Sequence, residues 1–303
     1  MEPGETVVVR PLEEIVDTLD TRRRYRGLVF MPEMEAFCGQ KFKVFKTVET
    51  IKLEDTGEVR LLQSPLISLE RVYCTGEQHE GCDRTCLHLW CEAWLKPIPP
   101  EEAIEEFSAS IHCPGHPPEM RAEESKTCNF LASTVIEVSV PAEGTPQGIT
   151  ATLRRLAMSV YRQMRATLVS GEPAAPTGAE QIPDIPPLNL VEGEMVEVRS
   201  VDEIRATLDG RRRYKGLYFM PEMEKFCGQK LRVIKKVTRI KLETTGEMRT
   251  LKSPTVFLDG AYCHGERHEG CGRACFHFWK EAWLNRVHDA QSTSGSSQSE
   301  VGA

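Results

Sequence analysis

No run of about 18 apolar residues occurs in the chain, so nothing in it reads as a membrane-spanning helix. The opening residues, MEPGETVVVR, lack a basic stretch followed by an apolar core, so no signal peptide is expected and a cytoplasmic location is. The Rossmann glycine pattern, the P-loop, the G-x-S-x-G elbow and H-E-x-x-H are all missing. That removes the motif-based case for nucleotide-binding, serine-hydrolase or zincin chemistry. The radical-SAM motif is excluded too, because its third cysteine would fall where the chain has Leu89 and Phe278. A net charge of −7 over 303 residues argues against a protein that coats nucleic acid along its length.

What the chain has in quantity is cysteine, 11 in all. Without an export signal, metal or redox chemistry is the expected use rather than disulfides. The chain also repeats itself. TRRRYRGLVFMPEMEAFCGQKFKV from Thr21 returns as GRRRYKGLYFMPEMEKFCGQKLRV from Gly210. The offset of 189 holds without a gap to Leu95 and Leu284, with 48 of 75 positions identical. A weaker likeness reaches back to Val7 and Val196, giving a unit of about 89 residues, which is the size of a small domain.

The expected organisation is a first repeat over 1–96, a middle segment over 97–171, a Pro-rich linker over 172–195, a second repeat over 196–288 and a disordered tail over 289–303. The middle segment carries an amphipathic pattern from Gly148, and it holds His112, Cys113, His116 and Cys128, whose role is open. Within a repeat, Pro11–Leu19 reads as a short helix, 25–30 and 66–74 as strands, and 41–53 as a strand with a bulge near Phe45–Thr47. Thr56-Gly57 reads as a turn before a strand at 58–62. Leu87, Trp90, Cys91, Trp94 and Leu95 fit one face of a helix over Cys82–Leu95. The fold class expected is α+β: two small SH3-like β-barrels, each closed by a C-terminal helix.

Both repeats keep the pattern C-x35-C-x7-C-x3-C, at Cys38, Cys74, Cys82, Cys86 and at Cys227, Cys263, Cys271, Cys275. Four soft ligands match a closed tetrathiolate site, so each set is expected to converge on Zn²⁺ or, alternatively, on a 4Fe–4S cluster. His79 and His268 travel with the cysteines as further candidate ligands, while the helix expected at 82–95 turns His88 away from them. Glu33/Glu222 and Glu35/Glu224 are candidate bases beside a metal, although a turn with Met31 and Met34 in the core accounts for MetProGluMet more simply.

On FMPEM at 30–34, the Cys38-Gly39 step and GCDRTCLHLWCEAWL at 81–95, the chain resembles a bacterial family of small Cys-rich proteins of unestablished function. That family carries FMPEM, Cys-Gly and GC-x3-C-xxFWKEAWL motifs, usually in one copy. The second repeat, with CFHFWKEAWL at 275–284, is the closer match, and Leu87, Leu89 and Cys91 are departures in the first. The resemblance brings no activity with it.

Charge divides unevenly. The first repeat (7–95) has 12 Lys+Arg against 15 Asp+Glu and the second (196–284) has 18 against 12, that is −3 and +6. An anionic partner, nucleic acid or protein, would therefore meet the second repeat and its basic strand at 230–239. The leading expectation is a non-enzymatic metal-binding scaffold. The alternatives are an iron–sulfur redox protein or component of a biosynthetic enzyme system, and a zinc enzyme with an open Cys₃ site.

Overall fold

The structure is a computed structural model that describes residues 1–54, 56–99, 132–142, 183–243 and 245–287. The amphipathic segment from Gly148, the tail over 289–303 and His112, Cys113, His116 and Cys128 lie outside the described residues.

The architecture is α+β and mostly antiparallel sheet. In the first copy, β1 (Thr6–Val9) leads to helix α1 (Leu12–Val16), entered through Pro11 with Glu13 and Glu14 in its first turn. A two-residue hairpin follows, β2 (Arg24–Tyr25) and β3 (Leu28–Val29), then a 3₁₀ turn at Pro32–Phe37. The long strands β4 (Lys41–Lys52) and β5 (Val59–Leu69) come next, and the unit ends with β6 (Trp90–Cys91), a 3₁₀ turn at Glu92–Trp94 and β7 (Leu95–Pro97). The sheet order is β6-β5-β4-β1-β7. The expected bulge is present, as a register shift between Val44 and Lys46. From the middle segment, α2 (Ala132–Glu137) and β8 (Ser139–Pro141) join this copy, β8 pairing with β5.

The second copy runs β9 (Met195–Val198), α3 (Val201–Arg205), β10 (Arg213–Tyr214), β11 (Leu217–Tyr218) and a 3₁₀ turn at Pro221–Phe226. Then come β12 (Lys230–Lys236), β13 (Arg239–Lys241), β14 (Met248–Thr250), β15 (Thr255–Leu258), β16 (Trp279–Lys280) and β17 (Leu284–Arg286). Its main sheet, β16-β15-β12-β9-β17, repeats the order of the first. In both, the phenylalanine of FMPEM packs edge-on against the last tryptophan: Phe30 on Trp94 at 5.2 Å and Phe219 on Trp283 at 5.3 Å. The indole N–H groups donate to Thr18 and Thr207.

The helix expected over Cys82–Leu95 does not form. Gly81 and Thr85 take positive φ (74° and 51°), which breaks a helical path, and the chain turns. Tyr73 then pairs with Leu87 in an isolated antiparallel bridge, as Tyr262 does with Phe276. Leu87 through Cys91 are all buried, and a run buried on every side satisfies a helical face and a fully buried strand equally well. No strand pairing joins β6 to β7 among the described residues, so the sheets are not closed barrels, and the helix expected to close each one is replaced by a single 3₁₀ turn. No helix among the described residues is long and apolar enough to cross a membrane.

The repeats pack against each other. A core formed by both copies contains Leu87, Val237, Phe257, Tyr262 and Phe276, with Phe45 and Tyr73 against it. Contacts recur in near-symmetric pairs: Lys241 N donates to Cys82 Sγ at 3.2 Å and Lys52 N to Cys271 Sγ at 3.4 Å. Asp83 N donates to Arg239 O and Gly272 N to Thr50 O. This is the two-fold logic of an isologous dimer written into one chain.

Candidate metal centres

Each repeat gathers one carboxylate, one thiol and one imidazole with ligand atoms all within 4.8 Å of one another: Glu33, Cys74 and His79, and Glu222, Cys263 and His268. Glu33 stands on the 3₁₀ turn after FMP, fixed by Pro32 at its start. Cys74 follows the Tyr73–Leu87 bridge, its N–H held by the Cys86 carbonyl at 2.8 Å. His79 closes a 3₁₀ turn at Glu77–His79 that Gly76 makes possible. Gly76 has φ +80°, and a Cβ there would lie 1.9 Å from the Cys82 carbonyl oxygen; Gly265 is placed alike in the second copy.

In the first copy the centre is closed. The side chains of Glu33 and His79 are 7% and 3% exposed, and Glu33 Oε1 lies 3.4 Å from His79 Nε2. His88 Nε2, also buried, is 3.9 Å from the same oxygen. Thr75 holds the other oxygen, donating to Oε2 from its N–H at 3.1 Å and its hydroxyl at 3.2 Å. Glu33 Oε1, both ring nitrogens of His79 and His88 Nε2 complete no hydrogen bond. Burial raises the Glu33 carboxyl, but the His79 imidazole 3.4 Å away, the His88 charge and the Cys74 contact outweigh it and hold the group at about 2. Burial pushes His88 down, against the pull of Glu33. A neutral imidazole beside an ionised carboxylate is the protonation state a metal takes.

The second centre is looser. His268 is 41% exposed and 3.5 Å from Glu222 Oε1, and His264 stands where the first copy has Thr75. Burial pushes the Cys263 thiol up to about 11, despite the N–H of Gly265 donating to its sulfur at 3.4 Å. Burial takes His277, the counterpart of His88, down to about 4.

Of the eight repeated cysteines, the structure brings Cys74 and Cys263 into these groups, and Cys38, Cys82, Cys86, Cys227, Cys271 and Cys275 lie outside them. Cys82 and Cys271 face the other repeat, as described. Cys86 and Cys275 border a small cavity between the copies with Arg84, Arg273, Glu54 and Glu243. Burial raises Cys38 to about 11, with Glu35 adding to the effect. His79 and His268, the further candidate ligands, each lie in one of these groups. The carboxylates Glu33 and Glu222 are at the centre rather than at its edge, while Glu35 pairs with Arg23 and Glu224 with Arg212. Met31 and Met34 are buried in the core as expected. His88 was hidden by the mistaken helix: in the true path it lies in the strand-like stretch opposite Val72, two residues along from Cys86.

The basic excess of the second repeat also has a place. Lys235 donates to the Thr75 carbonyl and lies 3.6 Å from Asp83, Arg239 donates to the Gly81 carbonyl, and Lys241 lies 3.6 Å from Glu80. Asp83 in turn accepts from Thr238 and Arg239 N–H groups, and its carboxyl is lowered because these bonds outweigh burial. These cations face the acidic first repeat.

No protein-family model, curated protein or solved structure matches the chain.

Proposed function

We propose that the chain is a non-enzymatic, zinc-binding scaffold in which each repeat holds one Zn²⁺. In the first repeat Glu33, Cys74 and His79 are the ligands and His88 is the fourth. Glu222, Cys263, His268 and His277 are their counterparts. The carrying observation is the cluster of buried, unbonded polar atoms on Glu33, His79 and His88. Leaving such atoms unpaired costs about 1–3 kcal/mol each, and one divalent cation would take up Glu33 Oε1, one ring nitrogen of His79 and His88 Nε2 together. A mixed N, O and S donor set suits Zn²⁺, whereas an iron–sulfur cluster takes cysteine thiolates. A sheet order with the last strand beside the first, and a 3₁₀ turn between the final two strands, supports reading each unit as an SH3-like sheet that stays open rather than closing into a barrel.

The test is metal analysis with thiol counting on the purified chain. The expected result is colourless protein with about two zinc ions per chain. Brown, iron-containing protein would transfer the case to the redox reading, and metal-free protein would end both. One observation favours a second reading: the exposed His268 leaves room for a water on the second metal, as in a zinc enzyme with an open site.

A further inference from the structure

The sheet of the first copy is extended by chain that is not part of the repeat. β8 lies outside the repeated unit, yet it pairs with the outer edge of β5, with Leu61 opposite Val140 and Leu62 opposite Ser139. Gln63 N donates to the Val138 carbonyl at 2.9 Å and Ala142 N to the Val59 carbonyl at 3.0 Å. Arg60 grips the added strand. Its Nε donates to Ser139 Oγ and its Nη2 to the Ser139 carbonyl, both at 2.7 Å, while Nη1 pairs with Glu58 at 2.6 Å. Just upstream, Arg24 pairs with Glu137 at 2.5 Å, and Val138 Cγ1 lies 3.2 Å from where a Cβ on Gly27 would stand.

The second copy keeps the receiving residues. Adding 189 turns Arg24, Gly27, Glu58 and Arg60 into Arg213, Gly216, Glu247 and Arg249. Among the described residues, no strand pairs with the outer edge of β14. Arg249 pairs with Glu247 at 2.9 Å, as Arg60 does with Glu58, but its side chain is 61% exposed against 9% for Arg60. Arg213 lies exposed beside the Tyr218 ring, and no described residue comes within 4 Å of the Cβ position of Gly216. Leu251 N donates inward to the Thr238 carbonyl, and Arg249 sits opposite Ile240 of β13. Alternation along an antiparallel strand then turns the N–H and C=O groups of Met248 and Thr250 outward, as it turns those of Val59 and Leu61 toward β8.

We propose that the edge of β14 takes an extended segment of a partner protein as an added strand, with the chemistry of residues 137–141. That chemistry is an acid for Arg213, a serine or threonine two residues on for Arg249, an apolar residue opposite Thr250, and a proline opposite Arg249. The occupant of the matching edge in the first copy is the reason for committing to it. That occupant comes from outside the repeat, so the edge is built to receive a strand that the repeat does not itself supply. Backbone bonds along the edge provide the affinity, and the two arginines set the register. The place of Pro141 explains the proline: on the added strand its missing N–H points away from β5, which leaves the new edge one donor short and blunts further pairing. The proposal rests on the reading of the chain as a scaffold and not on its metal centres.

The experiment titrates a synthetic peptide of residues 136–143, IEVSVPAE, into the full chain by calorimetry, beside a scrambled peptide of the same composition, and follows amide exchange with and without it. One site per chain is expected. Arg249→Ala should weaken binding about tenfold or more, and Thr250→Pro, which removes one outward N–H and leaves the β13–β14 pairing in place, should do the same. Both variants should keep the melting temperature and metal content of the parent. Residues 248–250 should exchange fast in the free chain and slowly with peptide bound. No heat at millimolar peptide, equal binding of the scrambled sequence, or full binding in both variants would overturn the proposal. Slow exchange at 248–250 before peptide is added would mean that the chain covers this edge itself, and protection changing at 59–63 instead would mean exchange with β8; either result overturns it as well. Metal analysis on the same samples reports separately on the zinc reading.

Discussion

The hydroxyls of Tyr73 and Tyr262 meet at 2.7 Å, and the two residues are 189 positions apart, so each tyrosine hydrogen-bonds its own counterpart in the other repeat. Around them Phe45 packs on Tyr262 at 5.1 Å and Tyr73 on Phe276 at 5.4 Å. Burial raises both phenols, so the pair stays protonated and the bond intact through ordinary pH. The repeats are therefore one packed body at this point, not two domains on a loose tether, and each candidate metal centre is held in a set direction relative to the other.

That pairing sets the first prediction. Tyr73→Phe leaves the Tyr262 hydroxyl unpaired in an apolar cluster, and Tyr262→Phe does the converse. Each single variant should lose about 1–2 kcal/mol of stability, whereas the double variant, which leaves nothing unpaired, should lose less than the two together. Urea denaturation of the four proteins measures this directly. Additive losses would show that the hydroxyls act independently.

Glu243 carries more of the interface. Its carboxylate is buried between Arg84 of the first repeat at 2.5 Å and Arg273 of its own, and Arg84 also reaches Glu54 at 2.8 Å. Removing one partner from a buried charge network strands the others. Glu243→Gln should destabilise the chain by about 3–5 kcal/mol, well beyond any single exposed ion pair here. A shift in the denaturation midpoint below that of Arg249→Ala, which cuts only an exposed pair, is the expected readout.

The residues explain which parts of this arrangement were visible in advance. The alternation of Phe42, Val44, Val48 and Ile51, broken at Phe45–Thr47, gives the long strand and its bulge, because a half-buried strand writes its register into the sequence. Residues 87–91 carry no such alternation, since both of their faces are covered, and their spacing passed for a helix. That single misreading turned His88 away from the centre and set the two cysteines of C-x3-C on one helical face. The packing of the copies had two signals. Phe45, Phe257 and Tyr73 leave apolar side chains on the outer faces of their strands, and the charges of the two repeats are opposite in sign. Neither identifies a partner until the fold brings the other repeat alongside.

Lys280 gives a pH prediction. It replaces Cys91 of the first copy, and its ammonium is buried against the Ser253 and Thr255 hydroxyls. Burial lowers its pKa to about 8, with Lys215 adding to the effect, against an ordinary value of about 10.4. A lysine depressed on folding binds fewer protons in the native state than in the unfolded one between these values. Stability attributable to Lys280 should therefore rise as pH goes from about 8 to about 10.4, and be constant below. Subtracting the profile of Lys280→Met, which keeps the packing and removes the charge, isolates this slope from the cysteines and tyrosines that titrate in the same range. Parallel profiles for the two proteins would contradict it.

The two centres should also part company under a chelator. A metal leaves a site through exchange of its ligands with water or with the chelator's own donors, so the rate follows how readily one ligand swings out. In the first copy His79 is 3% exposed and Glu33 is pinned by two donors from Thr75. In the second, His268 is 41% exposed, and His264 in place of Thr75 takes away the hydroxyl clamp. Zinc transfer to a chromogenic chelator should thus be biphasic, with equal amplitudes and the faster phase belonging to the second repeat. Cys263→Ser should remove the fast phase alone and Cys74→Ser the slow phase alone, each leaving the other's rate near its original value. Substituting His264→Thr should restore the clamp and slow the fast phase, which a purely steric account of His268 exposure would not produce. A single phase that disappears in either cysteine variant would mean one metal shared between the repeats, and the two-centre arrangement would have to be given up.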